Sequence, residues 1–138
     1  MSVLLDTSFV AALKHPDDRN SARATELYAS IVEGEEGAAF ITDYIVDEAL
    51  TLLWVRTKRS DLVLSMADFL LAADPTERPA RLLHVGEESF DETARLHRRH
   101  HTRLSFTDCS SLAVMAGHDI GKIATFEGGF SGLCEVLQ

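Results

Sequence analysis

The chain has 138 residues, of which 46% are hydrophobic and 25% charged, and its formal net charge is −9. This length and composition predict one globular domain over residues 1–138 with a substantial hydrophobic core. The acidic balance excludes a surface that is basic throughout and built for nucleic acid, although a local basic patch is compatible with it.

Targeting signals and cysteine frameworks are not evident in the sequence. Cys109 and Cys134 lack the spacing of a zinc site or a disulfide framework, which suits a reducing cytosol. Asp6 interrupts the first apolar run, and no basic residue precedes that run, so no secretory signal is predicted. No segment approaches the roughly 20 apolar residues that a membrane span needs. We therefore expect a cytoplasmic protein without membrane contact.

Short apolar runs alternate with amphipathic stretches along the chain. The runs predict strands at 3–5, 38–42, 81–85, 120–125 and 135–137. The stretches between them predict helices at about 7–14, 21–34, 43–57, 60–73, 87–99 and 106–118. Asn20 and Asp43 are expected to cap the second and third helices. The alternation predicts an α/β fold with a mainly parallel sheet and helices on both faces.

Four acids occupy positions that would suit apolar residues or simple turns. Asp6 ends Val3-Leu4-Leu5, Glu127 ends the run at 122–126, Asp108 opens a helix, and Glu48 interrupts an apolar helical face. Ligands of parallel sheets bind beyond the carboxyl ends of the strands, where all four acids can meet. Converging carboxylates repel one another strongly unless a cation joins them. The sequence therefore predicts a site for a divalent metal ion.

Each acid also has a simpler interpretation. Asp6 and Asp108 could each be only a helix cap, and Glu127 could be only a turn residue. Glu48 could reach solvent at the edge of its apolar face, or could pair with an arginine. The prediction of a shared site depends on the conjunction of the four acids. Such a set of hard oxygen ligands, without His or Cys, favours Mg²⁺ or Mn²⁺ and hydrolysis of a phosphodiester.

Two further clusters are less specific. Histidines at helical spacing could suggest zinc, but no Cys or acid completes a tetrahedral set near His97, His100 and His101. The densest positive patch of the acidic chain is a candidate contact for an RNA phosphate backbone, and it comprises Arg95, Arg98, Arg99 and Arg103. Its simpler interpretation is the solvated end of a helix.

Four segments together resemble, in order, the successive motifs of PIN domains, and most closely those of VapC toxins from prokaryotic toxin–antitoxin pairs. They are Val3-Leu4-Leu5-Asp6-Thr7-Ser8, Ile41-Thr42-Asp43-Tyr44 leading to Glu48-Ala49-Leu50, Phe106-Thr107-Asp108, and Ile123-Ala124-Thr125-Phe126-Glu127. The resemblance implies a three-layer α/β/α sandwich with a parallel five-stranded sheet. It also implies a Mg²⁺- or Mn²⁺-dependent endoribonuclease that acts on RNA, forms a homodimer and is inhibited by a cognate antitoxin.

The resemblance also assigns expected roles to individual residues. The acids that match the three main metal-site residues of the family are Asp6, Glu48 and Asp108. Glu127 stands where the family usually has Asp, and its longer side chain could still bind metal. The residues expected to support these candidate catalytic and metal-binding acids are Thr7, Asp43 and Thr125.

Three alternatives remain beside the toxin. A PIN-domain nuclease that processes RNA without an antitoxin would have the same motifs. A phosphorelay receiver also has an acidic Mg²⁺ pocket, but it requires an Asp directly after the middle strand, and Gly86-Glu87-Glu88 provides none. A PIN-like module that binds RNA without cleaving it would not need the acids that the motifs retain.

Overall fold

The predicted parallel five-stranded sheet is confirmed in the computed structural model, which describes residues 1–138. All neighbouring strands pair in parallel, in the spatial order β3-β2-β1-β4-β5. The strands are β1 Ser2–Leu5, β2 Ala38–Thr42, β3 Arg81–Leu83, β4 Lys122–Ala124 and β5 Glu135–Leu137.

Six α-helices cover the two faces of the sheet, as predicted. They are α1 Thr7–Lys14, α2 Ser21–Val32, α3 Asp43–Thr57, α4 Ser60–Leu70, α5 Glu87–His100 and α6 Phe106–Gly117. Two short 3-10 helices at Pro75–Glu77 and Gly128–Phe130 complete the chain. Crossovers between parallel strands are right-handed, so the helices α1 to α4 cover one face and α5 and α6 pack together on the other.

β1 is the central strand, with β2 beside it on one side and β4 on the other. From β1 the chain moves outward through β2 to β3, and it then returns across the other face to β4 and β5. The carboxyl ends of β1 and β4 therefore form the switch point where ligands of such sheets bind. Asp6 directly follows β1, and Thr125 directly follows β4.

The core lies around β1, whose sequence is apolar without alternation because helices cover both of its faces. Val3, Leu4 and Leu5 are completely buried, and Phe9 of α1 and Phe130 are the largest side chains packed fully inside. Burying each such side chain stabilises the fold by about 1.5–3 kcal/mol. This packing holds the carboxyl end of β1, and therefore Asp6, in a fixed position.

Several predicted boundaries were wrong in detail. Thr42, not Asp43, caps α3, because its hydroxyl accepts a hydrogen bond from the Ile45 N–H at 3.1 Å. Asn20 makes no capping hydrogen bond with its side chain at the start of α2. The third strand ends at Leu83, since the Val85 N–H bonds the carboxylate of Asp43 instead of a neighbouring strand.

None of the helices combines the length and the apolar character that are needed to span a lipid bilayer.

Candidate active site

A cleft of about 700 Å³ opens at the switch point of the sheet. Its walls come from the start of α1, the α1–α2 loop, α3, the start of α6 and the segment after β4. All four acids singled out in the sequence line this cleft: Asp6, Glu48, Asp108 and Glu127. The fold therefore brings to one place carboxylates that lie up to 121 residues apart in the sequence.

Asp6 is the buried acid at the floor of the cleft, with 1% of its surface exposed. It occupies the N-cap position of α1, yet its side chain makes no capping hydrogen bond. Its Oδ2 accepts a hydrogen bond from the Thr125 hydroxyl at 2.6 Å, whereas its Oδ1 is buried without any partner. The simpler interpretation of Asp6 as a helix cap therefore does not account for its carboxylate.

The surroundings of Asp6 disfavour its negative charge. The pKa of Asp6 is raised from its ordinary value of 3.8 to about 7. Burial is the main cause, the Thr125 hydrogen bond opposes it, and the charges of Asp108 and Glu48 contribute to the rise. A carboxylate so placed gains stability from any cation that reaches its free oxygen.

Thr125 connects Asp6 to the wall of the cleft. Its single hydroxyl proton is donated to Asp6, so it accepts from the Ser8 hydroxyl at 3.2 Å and from the Glu127 N–H at 3.0 Å. The Ser8 oxygen in turn accepts from the Phe126 N–H at 2.9 Å. This chain of hydrogen bonds joins the start of α1 to the segment after β4 and fixes the orientation of the Asp6 carboxylate.

Glu48 lies in the second turn of α3 and is half-buried. Its neighbours along the sequence explain this position, because Ile45, Ala49 and Leu53 on the inward side of α3 are fully buried. The carboxylate of Glu48 forms no ion pair in the fold, so the simpler interpretation of an Arg-paired glutamate does not hold.

Asp108 has two roles at the start of α6. Its Oδ2 accepts from the Ser105 N–H at 2.9 Å, while the Ser105 hydroxyl accepts from the Asp108 N–H at 3.0 Å, which forms a complete capping box. The expected capping function is therefore present, with Ser105 as the cap. Asp108 is half-buried and also lines the cleft, so the same capping box holds its carboxylate in place.

Glu127 lies at the rim of the cleft and is exposed. Its backbone N–H is tied to Thr125, but its side chain caps nothing in the short 3-10 helix that follows. Its side chain is thus free to turn toward the other acids or toward solvent. Thr7, the residue after Asp6, is buried in the cleft wall, and its hydroxyl oxygen has no partner.

Asp43 does not line the cleft, although we expected it to support the acids. Its Oδ1 accepts hydrogen bonds from the Tyr44 and Val85 N–H groups at 3.0 Å, and its Oδ2 lies 3.1 Å from Nδ1 of His84. Asp43 therefore joins the carboxyl ends of β2 and β3, and its contacts are structural ones away from the four acids.

Two of the four arginines in the predicted RNA-binding patch are already bonded to other groups of the protein, and two are not. Arg95 bonds Glu92 with an Nε–Oε2 distance of 2.8 Å, and Arg103 donates to the backbone oxygen of Ser131. Arg98 and Arg99 are exposed at the end of α5 and form no ion pair. Only these two of the four remain available for a ligand without a change in the fold.

A comparison with models of known protein families matches residues 3–136 to the PIN domain. The chain belongs to the PIN domain family. Among solved structures, it is similar to Mycobacterium tuberculosis VapC20, a toxin that cleaves the sarcin–ricin loop. The identity is 28% and the TM-score 0.80, over 95% of this chain and 94% of that one.

Two more distant structures share the fold of this PIN domain. One is a VapBC2 complex from Rickettsia felis, bound to a DNA fragment from its promoter. Its identity to this chain is 11% and the TM-score 0.67, over 99% of this chain and 98% of that one. A toxin–antitoxin complex from Klebsiella pneumoniae is 14% identical with a TM-score of 0.62, over 99% and 96% of the two chains. A search of curated proteins found no significant match.

The PIN domain also has cleft residues that the sequence did not reveal. Ser8 was visible only as part of a motif, and its bond to Thr125 depends on the pairing of β1 with β4. Arg19 and Arg56 line the cleft as well, and Asp18 lies beside Arg56. The adjacent charges Asp17-Asp18-Arg19 mark the loop in the sequence, but nothing local indicates that the loop faces the acids.

The acids of the cleft provide carboxylate oxygens that a divalent cation could bind. In the structure, no three His, Cys, Asp or Glu side chains come close enough together to coordinate one metal ion, so the carboxylates are separated from one another. The set nevertheless fits a hard cation, because Asp6 has a buried Oδ1 without a partner and the neighbouring charges of Asp108 and Glu48 repel it. Carboxylate oxygens are the ligands that Mg²⁺ and Mn²⁺ prefer.

Removal of the Thr125 hydroxyl is expected to destabilise the PIN domain in a pH-dependent manner. Thr125→Val leaves the Asp6 Oδ2 without its donor, which raises the pKa of Asp6 still further and costs about 1–3 kcal/mol when the carboxylate is ionised. The loss is therefore larger at pH 8 than at pH 5, where Asp6 is protonated in the folded state. Urea unfolding at both pH values measures it.

Thr125→Ser is the matched control, because it retains the hydroxyl, and it should keep the pH dependence of the wild type. An equal loss of stability for Thr125→Val at pH 5 and pH 8 would show that the substitution acts through packing alone.

Proposed function

We propose that this PIN domain is a metal-dependent endoribonuclease and the toxin of a toxin–antitoxin pair. The observation that carries the proposal is the buried carboxylate of Asp6, with one free oxygen, in a cleft shared with Glu48, Asp108 and Glu127. The 28% identity to a toxin that cleaves the sarcin–ricin loop supports the same class of activity and makes RNA the expected substrate.

The residues that would hold Mg²⁺ or Mn²⁺ are Asp6, Glu48, Asp108 and Glu127. When bound, such an ion stabilises negative charge on a phosphodiester and lowers the pKa of a coordinated water. The cleft contains no His or Cys, so its acids and hydroxyls, together with the two arginines in its lining, are the groups available for the reaction.

The remaining groups of the site act by positioning the acids. The Thr125 hydroxyl orients Asp6, and Ser8 holds Thr125 through a second hydrogen bond. The capping box with Ser105 orients Asp108, while the buried inner face of α3 fixes the backbone of Glu48. Rigid placement on helix starts and strand ends lets the carboxylates act without reorganisation when substrate arrives.

A cleavage assay tests the proposed activity. Purified protein is incubated with a sarcin–ricin loop RNA and with unstructured RNAs, in Mg²⁺, in Mn²⁺ and in EDTA. We expect cleavage with either metal and none with EDTA. Cleavage that persists in EDTA would contradict metal dependence, and failure to cleave any RNA with either metal would contradict the nuclease.

The proposed partners are RNA, a cognate antitoxin and a second copy of the chain. Large apolar side chains on α3 and α4 remain exposed, namely Trp54, Val55 and Leu64, with exposed fractions of 45%, 58% and 60%. These side chains lie on two helices that pack against each other, and exposed apolar residues mark a protein–protein contact where they form a contiguous patch. Light scattering of the isolated protein tests the homodimer, and co-purification with the product of a neighbouring gene tests the antitoxin.

Replacement of Arg98 and Arg99 by Ala is expected to weaken RNA binding and flatten its salt dependence. Both side chains are exposed and unpaired, so each can release counterions when it contacts a phosphate. The measurement is the slope of the logarithm of the binding constant against the logarithm of the salt concentration. A slope equal to that of the wild type would show that the patch is only the solvated end of α5.

A further inference from the structure

Two arginines line the otherwise acidic cleft, and neither belongs to the family motifs in the sequence. Arg19 lies in the α1–α2 loop, and Arg56 lies in the last turn of α3. The cleft also holds Asp18 beside the four candidate metal-binding acids, so five acidic side chains face two basic ones. Arg19 and Arg56 are the only positively charged side chains of the cleft lining, so among the protein's own groups only they attract the phosphates of an RNA strand that enters the cleft.

Both arginines lie at the same rim of the cleft. Asp18 directly precedes Arg19, and its Oδ2 is 3.9 Å from Nη1 of Arg56, which brings the loop next to the end of α3. Arg56 follows Glu48 by eight residues on the same helix, and this corresponds to about 12 Å along the helix axis. Arg56 therefore lies farther along α3 than Glu48, at the part of the cleft wall that adjoins the α1–α2 loop.

Asp18 lies close to the guanidinium of Arg56 but does not occupy its hydrogen-bond donors. A separation of 3.9 Å is longer than a hydrogen bond, so the donors of Arg56 stay open. Half of the Arg56 side chain is exposed, at 49%, whereas Asp18 is largely covered, at 13%, and its Oδ1 is occupied by the Asn20 N–H at 2.8 Å. Asp18 is thus a fixed charge that holds Arg56 near the loop.

Three arginines outside the cleft already make contacts within the fold. Arg59 bonds both oxygens of Asp61, and Arg78 donates to the Ala72 carbonyl oxygen at 2.8 Å. Arg23 pairs with Glu26 and also donates to the carbonyl oxygen of Gln138. The two arginines of the cleft therefore combine open donors with a position beside the candidate active site.

We propose that Arg19 and Arg56 bind backbone phosphates of the RNA strand on one side of the scissile bond. This inference depends on the proposed function, since it places the substrate in the same cleft. A guanidinium offers a planar fork of donors that matches phosphate oxygens, and it stays charged at every working pH. The pair sets the direction in which the strand leaves the acids, and it contributes affinity without regard to base sequence.

The experiment measures RNA binding in a background that is expected not to cleave. A fluorescein-labelled single-stranded RNA is titrated with Asp6→Asn protein, with and without the further changes Arg19→Ala and Arg56→Ala, over a series of KCl concentrations. We expect the two changes to raise Kd about tenfold. The salt slope should become less steep by about 1.4, because each single-strand phosphate contact contributes about 0.7.

Two controls separate the cleft from charge in general. Arg23→Ala with Arg59→Ala removes the same charge from paired arginines outside the cleft, and it should leave the slope close to that of the parent. Arg19→Lys with Arg56→Lys keeps the charges and should restore most of the slope. An unchanged slope in the Ala variant, or an equal drop in the Arg23/Arg59 control, would overturn the proposal.

The proposal and the nuclease can fail independently. If the wild type cleaves RNA while loss of Arg19 and Arg56 leaves the slope unchanged, the proposed contacts are wrong and the nuclease stands. If the slope falls by the expected amount while the wild type cleaves no RNA, the phosphate contacts stand and the nuclease is wrong.

Discussion

Asp6→Asn is expected to abolish metal-dependent RNA cleavage and, in the same protein, to raise the free energy of unfolding above neutral pH. The activity is lost because the amide cannot supply the charged oxygen that a divalent cation requires. The fold gains stability because the substitution removes a buried charge that Asp108 and Glu48 repel. A loss of activity together with a gain in stability distinguishes a functional carboxylate from one that supports the fold.

The pH dependence of this gain has a defined sign. Asp6 has a folded-state pKa of about 7 and an ordinary value of 3.8, so the folded state holds the proton more tightly than the unfolded state. The contribution of the protonated carboxyl to stability is fully present below pH 3.8 and is lost as the pH rises through 7. Asn cannot titrate, and its advantage over Asp6 should therefore grow from pH 4 to pH 8, to a few kcal/mol as an order of magnitude.

Urea unfolding of the metal-free proteins at pH 4, 6 and 8 measures the effect, and the RNA assay in Mg²⁺ and Mn²⁺ measures the activity. Asp17→Asn is a matched control, since Asp17 is an exposed acid that does not line the cleft. It should retain cleavage and show no growing advantage with pH. Full RNase activity in purified Asp6→Asn protein would contradict the assignment of Asp6 to the site.

The sheet and the convergence of the four acids could be predicted because they follow from local patterns and a general rule of topology. The apolar run of β1 indicated a buried strand, and the acid directly after it indicated a strand-end ligand. Glu48 was informative because a charge interrupts the apolar face of α3. Parallel strands place their carboxyl ends at one edge of the sheet, so residues distant in sequence can be expected to meet there.

The features that could not be predicted depend on contacts between distant segments. Thr42 and Asp43 are both good capping residues, and only the contacts of Asp43 with His84 and Val85 decide between them. The partnerless Oδ1 of Asp6 is a property of its burial and is invisible in the sequence. The position of Arg19 and Arg56 at the cleft depends on how the α1–α2 loop packs against the end of α3.

The excess of acidic side chains in the cleft leads us to a specific prediction about inhibition by an antitoxin. The cleft lining contains five acids and only two arginines, and one of the acids, Asp6, is buried with a free carboxylate oxygen. This excess of negative charge attracts a cationic side chain when no metal is bound. We expect the antitoxin to present an Arg there, because its planar fork can bridge two carboxylates, while apolar antitoxin residues cover Trp54 and Leu64. The inserted cation would compete with the metal and exclude the substrate phosphate.

The expected result is a loss of Mn²⁺ affinity on the order of 100-fold in the purified toxin–antitoxin complex relative to the free PIN domain. Calorimetric titration of Mn²⁺ into both preparations measures it, and free Asp6→Asn protein provides the baseline for a damaged site. Replacement of the inserted antitoxin Arg by Ala should restore Mn²⁺ binding while the apolar contacts keep the complex together. Equal Mn²⁺ affinity in the free and bound protein would mean that the antitoxin inhibits without entering the acidic cleft, for instance by covering the rim at Arg19 and Arg56.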